Sequence, residues 1–330
     1  MPADTGTRLV FLAALDASHK VTIGTVPGRE AAMNHLPTQR EIKAMLAAAG
    51  LRPDRRLGQH FLVDGNLMRM LVEAADLAPD DTVLEVGAGV GNLTGLLLAA
   101  AGHVVAVEVD SRLAAVARDR LADAARLDLL VTDVLADKHR IAPAVLEAVE
   151  RHRGELGGPV KLVANLPYQA ATPLVAELVR ADPPPERLVF TVQKEVADRL
   201  VAAPDTSDYG PASVLVQGLG AVEVLRRLGP SVFWPQPRVW STMVRIRPSA
   251  ARRRQVADLA VFRQTINGLF AHRRKRAPRS LALADPAGAS PRQWARRLTA
   301  AGLDPAARGE AYSVEEIIRL ANTMAHEGED

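Results

Sequence analysis

Between residues 82 and 193 the chain alternates short apolar runs with helical stretches, and nothing else in the sequence restricts the fold as much. TVLEVG (82–87) reads as a buried strand and NLTGLLLAAAG (92–102) as a helix closed by Gly102. HVVAVEVD (103–110) is the next strand, and SRLAAVARDRLADAA the next helix, with Ser111 as its expected N-cap. LDLLVTDV, VKLVAN and RLVFTVQ are three further strands separated by helical segments. Apolar strands alternating with helices need cover on both sheet faces, which predicts an α/β fold with a mainly parallel, doubly wound sheet.

The flanks differ from this core. Residues 1–36 lack periodicity and carry turn-forming residues, so a mobile N-terminal extension is expected. Within it, RLVFLAALDAS (8–18) holds an internal Asp16 and reads as non-secretory. LPTQREIKAMLAAAG (36–50) has a helical pattern ending at Gly50, and a second helix after GQHFLVD is expected to stop at Pro79. SVLVQGLGAVEVLRRLG (213–229) and VWSTMVRIRP (239–248) read as two strand-rich segments forming an antiparallel hairpin at one sheet edge. Beyond Pro248 the segments are Arg- and Ala-rich and helical. The expected organisation is an extension over 1–36, an α/β domain over 37–248 and a small helical domain over 249–330.

The chain has no Cys, which removes disulfides, thiolate metal sites and Cys nucleophiles and fits a reducing cytoplasm. Its eight His are scattered without paired-ligand spacing, so no metal is expected. No run approaches the ~18 apolar residues of a membrane span. Net charge is only +3, yet residues 251–297 hold twelve basic side chains against Asp258 and Asp285. From charge alone, a phosphate-facing surface and a solvated helix face stand level.

LEVGAGVGNLT places Gly87, Gly89 and Gly91 between a strand and a helix. Such a turn lets the backbone approach a ligand at a helix N-terminus. Asn92 and Thr94 stand where a GxGxxG dinucleotide loop needs glycine, and no GK[ST] follows, so phosphate cradling is not indicated. Glu108 closes the next strand, where a carboxylate can accept both hydroxyls of a ribose, and Asp133 closes the third. A ribose-bearing cofactor without a phosphate requirement points to S-adenosylmethionine; the alternative is an ordinary tight turn.

NLPY (165–168) supplies matching chemistry. The exocyclic amine of adenine is a poor nucleophile because its lone pair is delocalised into the ring. Two oxygens accepting its N–H bonds draw the nitrogen towards a tetrahedral shape and free that lone pair. Asn165 offers an amide oxygen, Pro167 fixes the backbone that presents a carbonyl, and Tyr168 offers a stacking face for a flipped base. Taken alone, the tetrapeptide reads better as a strand-to-loop turn with a half-buried Tyr; beside the glycine loop earlier in the chain, amine methylation is the preferred reading. In PSVFWPQPRVWST (230–242), Phe233 is the candidate for the other face of the clamp, and Trp240 better suits a hydrophobic plug under the hairpin.

With these stretches in order, the chain resembles the KsgA-type rRNA adenine dimethyltransferases. LGQHFLVD, LEVGAGVGNLT, VVAVEVD, VTDVL, ANLPYQAATPL, FTVQKEVADRLVA, DYGPASVLVQ and VFWPQPRVWSTMVRIRP carry the likeness over about 57 to 248. The resemblance implies a Rossmann-like methyltransferase sheet followed by a helical domain. It implies cofactor contacts at His60, Leu62, Gly87, Glu108, Asp133 and Asn165, with Gln59 in the same N-terminal clamp and Gly89 in the loop. It also implies a catalytic pocket of Asn165, Pro167 and Tyr168, with Phe233 stacking on the adenine. The implied reaction is dimethylation of two adjacent adenosines in the 3′-terminal hairpin of 16S-type rRNA, by a monomer acting on a pre-ribosomal particle. In that setting Arg273, Arg274, Lys275 and Arg276 gain weight as RNA contacts. The sequence departs from the family at His60, where Asn is usual and an imidazole could make cofactor binding pH-sensitive, and at QAAT after NLPY, where smaller side chains imply a wider pocket. Family members begin near residue 33, so residues 1–32 are expected to be dispensable. Two rival readings remain: a large-subunit rRNA methylase of the macrolide-resistance type, and a non-catalytic assembly factor on the same fold.

Overall fold

The computed structural model describes residues 36–54, 58–122, 124–137 and 140–327. The expectations for residues 1–35, including the 8–18 run and the dispensable start, lie outside the described residues.

Helix α1 (Gln39–Ala48) opens at Thr38, whose hydroxyl accepts the Glu41 N–H while the Glu41 carboxylate accepts the Thr38 N–H. After β1 (Phe61–Leu62), α2 (Gly65–Ala75) is capped by the Asp64 carboxylate. It ends at Asp76, which turns left-handed at φ 52°, three residues before the expected stop at Pro79. The α/β unit then runs β2 (Thr82–Val86), α3 (Asn92–Ala100), β3 (His103–Glu108), α4 (Ser111–Arg120) and β4 (Leu127–Val131). Asp110 rather than Ser111 caps α4, its carboxylate accepting the Arg112 N–H at 3.0 Å. A negative charge there also suits the positive end of the helix dipole. A short ladder of β5 (Leu135–Asp137) and β6 (Arg140–Ile141), too brief for a periodic signal, precedes α5 (Pro143–Leu156).

Next come β7 (Val160–Asn165), α6 (Ala171–Arg180), β8 (Arg187–Gln193), α7 (Lys194–Val201), α8 (Pro211–Leu219), β9 (Gly220–Leu228), β10 (Phe233–Trp234) and β11 (Ser241–Pro248). The strand expected from residue 213 is thus half wrong: 213–219 is helix and only 220–228 is strand. Val214, Leu215, Val216 and Leu219 are all buried, so α8 has no polar face to give it a helical period. Pro211 opens it, Ser213 Oγ accepts the Gly210 N–H, and the Gln217 amide donates to Leu200 O and Ala202 O.

The main sheet has the order β4-β3-β2-β7-β8-β11-β9. Its first five strands are parallel, and β11 runs antiparallel to both β8 and β9, giving the expected edge hairpin. The chain leaves β2 in one direction through β3 and β4 and returns to β7 on the other side, so the strand order reverses between β2 and β7. Ligands of open α/β sheets bind at the strand C-terminal ends beside such a reversal. The β2–β7 pairing runs from Thr82–Val160 to Leu84–Leu162, while the two strands continue to Val86 and Asn165.

Alternate strand residues enter different cores, as a doubly covered sheet requires. Leu84, Val86, Val105 and Val107 pack on the α5–α6 side. Val83, Val104, Ala106 and Val163 pack on the α2–α3 side.

After β11 the chain forms α9 (Ala250–Arg253), α10 (Leu259–Ala271), α11 (Ala277–Ala284), α12 (Pro291–Ala300) and α13 (Val314–Glu327). Phe262, Ile266, Leu298 and Ile317 of these helices join the α5–α6 core. Tyr209, fully buried, donates its hydroxyl to Tyr312 O at 3.0 Å across the junction. Tyr209→Phe leaves that carbonyl unpaired and is expected to cost about 1–2 kcal/mol, read as a lower urea midpoint with an unchanged slope.

Part of the basic segment has a structural task. Arg252 Nη1 donates to Gln217 O and Gly220 O, and Arg253 Nη1 to Arg180 O at 3.1 Å, covering the carbonyl ends of α8 and α6. Arg273 pairs with Glu310 at 3.2 Å and donates to Ser207 O. Arg274, Lys275 and Arg276 are exposed in the turn before α11. No helix among the described residues is long and apolar enough to cross a membrane.

Candidate functional site

A cavity of about 190 Å³ opens at the C-terminal ends of β2, β3, β4 and β7, and Gln59, His60, Leu62, Gly87, Gly89, Glu108, Asp133, Asn165, Pro167 and Tyr168 all line it.

The β2–α3 turn shapes its floor. Gly87 and Gly89 sit at φ 82° and 58°, in the left-handed region that glycine adopts without steric cost. A Cβ on Gly87 would meet Pro167 at 3.2 Å, and one on Gly89 would meet Phe61 at 3.0 Å. The glycine turn and the NLPY turn are therefore in direct contact.

Glu108 is almost completely buried. Gly89 N–H donates to its Oε2 at 2.8 Å and Asp110 N–H to its Oε1 at 3.0 Å, which fixes the carboxylate. Burial raises its carboxyl above the usual range, and the backbone N–H groups of Asp110, Gly89 and Val109 pull it back. Asp133 lies two residues past the end of β4, exposed, with Oδ1 accepting the Leu135 N–H at 2.9 Å. Gln59 ties the N-terminal segment down: its Oε1 accepts the Asp54 N–H and its Nε2 donates to Asp110 Oδ2 at 3.2 Å. His60 places Nδ1 2.6 Å from Pro235 O, and its ring lies 5.7 Å from that of Tyr168.

At the end of β7, Asn165 Nδ2 donates to His60 O at 2.9 Å and Asn165 Oδ1 accepts from Thr191 Oγ1. Both contacts orient the amide, and Oδ1 retains one lone pair. Thr191 reaches it because β7 and β8 pair in parallel with Asn165 opposite Thr191. Pro167 O accepts the N–H groups of Ala170 and Ala171 as α6 begins, whereas Leu166 O accepts none of the described inter-element backbone bonds. Tyr168 is half-buried, its hydroxyl 3.3 Å from Ser241 Oγ, and burial raises its phenol.

One expected site residue is placed elsewhere. Phe233 is 2% exposed and packs in the α2–α3 core, its backbone paired with Leu62, so it presents no face to the cavity. Trp240, expected as the plug, is 54% exposed. Neither aromatic has the role read from sequence: β10 closes against β1 and turns Phe233 inwards, and Trp240 stands outside the cavity lining. Trp234 stacks instead on Phe61 at 6.2 Å.

Two residues that the sequence reading left without a role belong to the site. Thr191 positions Asn165. Glu85, the acid of the E-x-G-x-G-x-G run, lines the cavity with Oε2 unpartnered, and Asn92 Nδ2 is likewise buried without a partner. Burial pushes the Glu85 carboxyl up to about 8, opposed by the Thr94 hydroxyl. Thr191→Val keeps the shape but releases the Asn165 amide. It is expected to lower kcat about tenfold, the equivalent of one hydrogen bond, with cofactor affinity unchanged, and Thr191→Ser should restore the rate.

The comparisons with known proteins follow the same lines. The family described as ribosomal RNA adenine dimethylase matches residues 51–326. Ribosomal RNA small subunit methyltransferase A of Rhodococcus opacus is 41% identical over 288 residues, 86% of this chain and 93% of its own. Its counterpart from Geobacillus kaustophilus is 36% identical over 292 residues, 88% and 97% of the two chains. Among solved structures, a dimethyladenosine transferase from Plasmodium falciparum aligns with a TM-score of 0.64 at 19% identity, covering 80% of this chain and 97% of that one. The 23S rRNA methyltransferase ErmE aligns at 0.54 and 25%, covering 80% and 99%. With the family match spanning residues 51–326 and relatives of 36% and 41% identity covering most of both chains, this chain belongs to the ribosomal RNA adenine dimethylase family.

Proposed function

We propose that this chain dimethylates the N6 amine of two adjacent adenosines in the 3′-terminal hairpin of small-subunit rRNA, acting as a monomer on a pre-ribosomal particle. The family's cofactor is S-adenosylmethionine, and the cavity suits it. The buried, unpartnered Glu85 Oε2 and Asn92 Nδ2 call for a polar, partly cationic ligand, and the side-chain-free face of Gly87 and Gly89 admits it close to the backbone. Glu108 would hold the ribose hydroxyls, and Asp133 and the Gln59–Leu62 segment the rest of the cofactor. When bound, the cofactor supplies an electrophilic methyl group.

The observation that carries the reading is the Asn165 amide, fixed by His60 O and Thr191 Oγ1 at the wall of the same cavity as Glu108. Asn165 Oδ1 and the Leu166 carbonyl would accept the two N–H bonds of the target amine, and Tyr168 would stack on the extruded base. The amine attacks as a neutral nitrogen, so no general base precedes transfer. The chain contributes positioning and preorganised acceptors. Arg274, Lys275 and Arg276 would meet RNA phosphates from the helical unit after residue 248.

The test is incorporation of labelled methyl into purified, unmethylated small and large ribosomal particles, followed by mass spectrometry of the rRNA. Paired N6,N6-dimethyladenosines near the 3′ end of the small-subunit rRNA are expected. Incorporation into large particles alone would instead make this a resistance-type enzyme, and none into either would leave the assembly-factor reading.

A further inference from the structure

We propose that the exposed indole of Trp240 is a stacking site for the RNA base next to the one held in the cavity, an inference that rests on the rRNA reading given above.

Trp240 directly precedes β11, whose first residue, Ser241, pairs with Gln193 at the end of β8. Because β11 runs antiparallel to β8, its start lies at the sheet end where the cavity opens. Trp240 O accepts the Lys194 N–H at 2.9 Å, which fixes its backbone there. The hydroxyl of the next residue, Ser241, is 3.3 Å from that of Tyr168, the proposed base clamp. Strand alternation sends the side chains of Trp240 and Ser241 to opposite sides of the rim. The indole therefore stands beside the cavity and not in it, which suits a neighbouring nucleotide and not the target itself.

The ring is supported yet open. One edge passes Gly229, where an added Cβ would stand 3.9 Å from Cη2 and Cζ3, and 54% of the residue stays exposed. A single exposed apolar side chain is ordinary and carries nothing alone. Here it is set among positive charge. Arg238 lies two residues before it, and Arg227 pairs with Thr242, two residues after it, with Arg226 beside Arg227 near the end of β9. All three arginines are exposed and make no ion pair among the described residues, unlike Arg245 and Arg247, which Glu223 neutralises. An aromatic plane interleaved with open guanidinium groups fits an unpaired RNA strand, whose bases stack on the ring while its phosphates meet the arginines. A protein partner seated on the indole would have to bring carboxylates for three guanidinium groups, whereas RNA carries a phosphate with every base. Extruding the target base also breaks the stack it shared with its neighbour, and an indole at the rim replaces that lost contact. Where two adjacent adenosines are modified, one can rest on Trp240 while the other occupies the cavity.

The test uses the full-length protein and purified, unmethylated small ribosomal particles. Trp240→Ala should lower kcat/KM for particles about tenfold to a hundredfold, the worth of one base stack, mainly through KM. Trp240→Phe keeps a ring and should recover most of that loss. Affinity for S-adenosylmethionine and the urea midpoint should stay at wild-type values in both variants, which a merely structural tryptophan would not allow. With p-benzoylphenylalanine in place of Trp240, irradiation should crosslink the rRNA at a target adenosine or its direct neighbour, mapped by primer extension. If the wild-type protein methylates small particles, then full activity of Trp240→Ala, no recovery in Trp240→Phe, or a crosslink away from the target hairpin would overturn this inference and leave the rRNA reading standing. A wild-type protein inactive on small particles would overturn both.

Discussion

Asn165→Ala is expected to lower methyl transfer about a thousandfold while leaving the affinity for S-adenosylmethionine within a few-fold of wild type. The size follows from what the side chain does. A preorganised acceptor aimed at charge that develops during reaction contributes about 10²–10³ in rate when removed singly. Asn165 Oδ1 is held in place before substrate arrives, because Thr191 and His60 O fix both ends of the amide. Glu108, the proposed anchor of the cofactor, is oriented by Gly89 and Asp110 and makes no described hydrogen bond to Asn165. Single-turnover rates and equilibrium binding measured on the same preparation separate the two effects. An equal loss of both would show that Asn165 serves the cofactor rather than the amine. Asn165→Asp is the sharper companion: it keeps the acceptor but places a carboxylate against His60 O, so it should recover only part of the rate.

The second large effect is on stability. Glu85 is wholly buried and its carboxyl is pushed up to about 8 from a usual 4.5. Below about pH 4.5 the folded and unfolded chains both hold this proton, and the full contribution of the neutral buried acid is present. Between 4.5 and 8 the unfolded chain ionises while the native one does not, so stability falls by about 1.4 kcal/mol per pH unit. Above 8 both states are ionised and the loss levels off at about 5 kcal/mol. Chemical denaturation of the cofactor-free protein from pH 5 to 9 should trace this slope, and Glu85→Gln should flatten it. A cationic ligand beside Glu85 favours the ionised form, so cofactor binding below pH 8 should release a proton, measurable by calorimetry in buffers of different ionisation enthalpy.

The parallel sheet was legible in the sequence because its strands are buried on both faces and read as unbroken apolar runs. Helix α8 was not, for a related reason: buried on every side, it shows no period, and its β-branched residues imitate a strand. Local sequence also cannot say that β10 closes on β1, which pair Phe61 with Trp234 and Leu62 with Phe233 across more than 170 residues. That pairing decides that Phe233 faces the core. Most of the site was readable, since a glycine turn, two acidic strand ends and NLPY each carry local chemistry. Thr191 was invisible, as nothing in FTVQ marks it until the β7–β8 register sets it beside Asn165.

The early parting of β2 and β7 has a further effect. Past Leu84 and Leu162 the two strands bound a slot walled by main chain, so its gape belongs to the sheet and not to any one side chain. Exchanging lining residues can retune which groups are greeted there but hardly how large a guest is admitted. Selectivity for size must therefore come from the segments around His60 and Gln169 that also line the cavity.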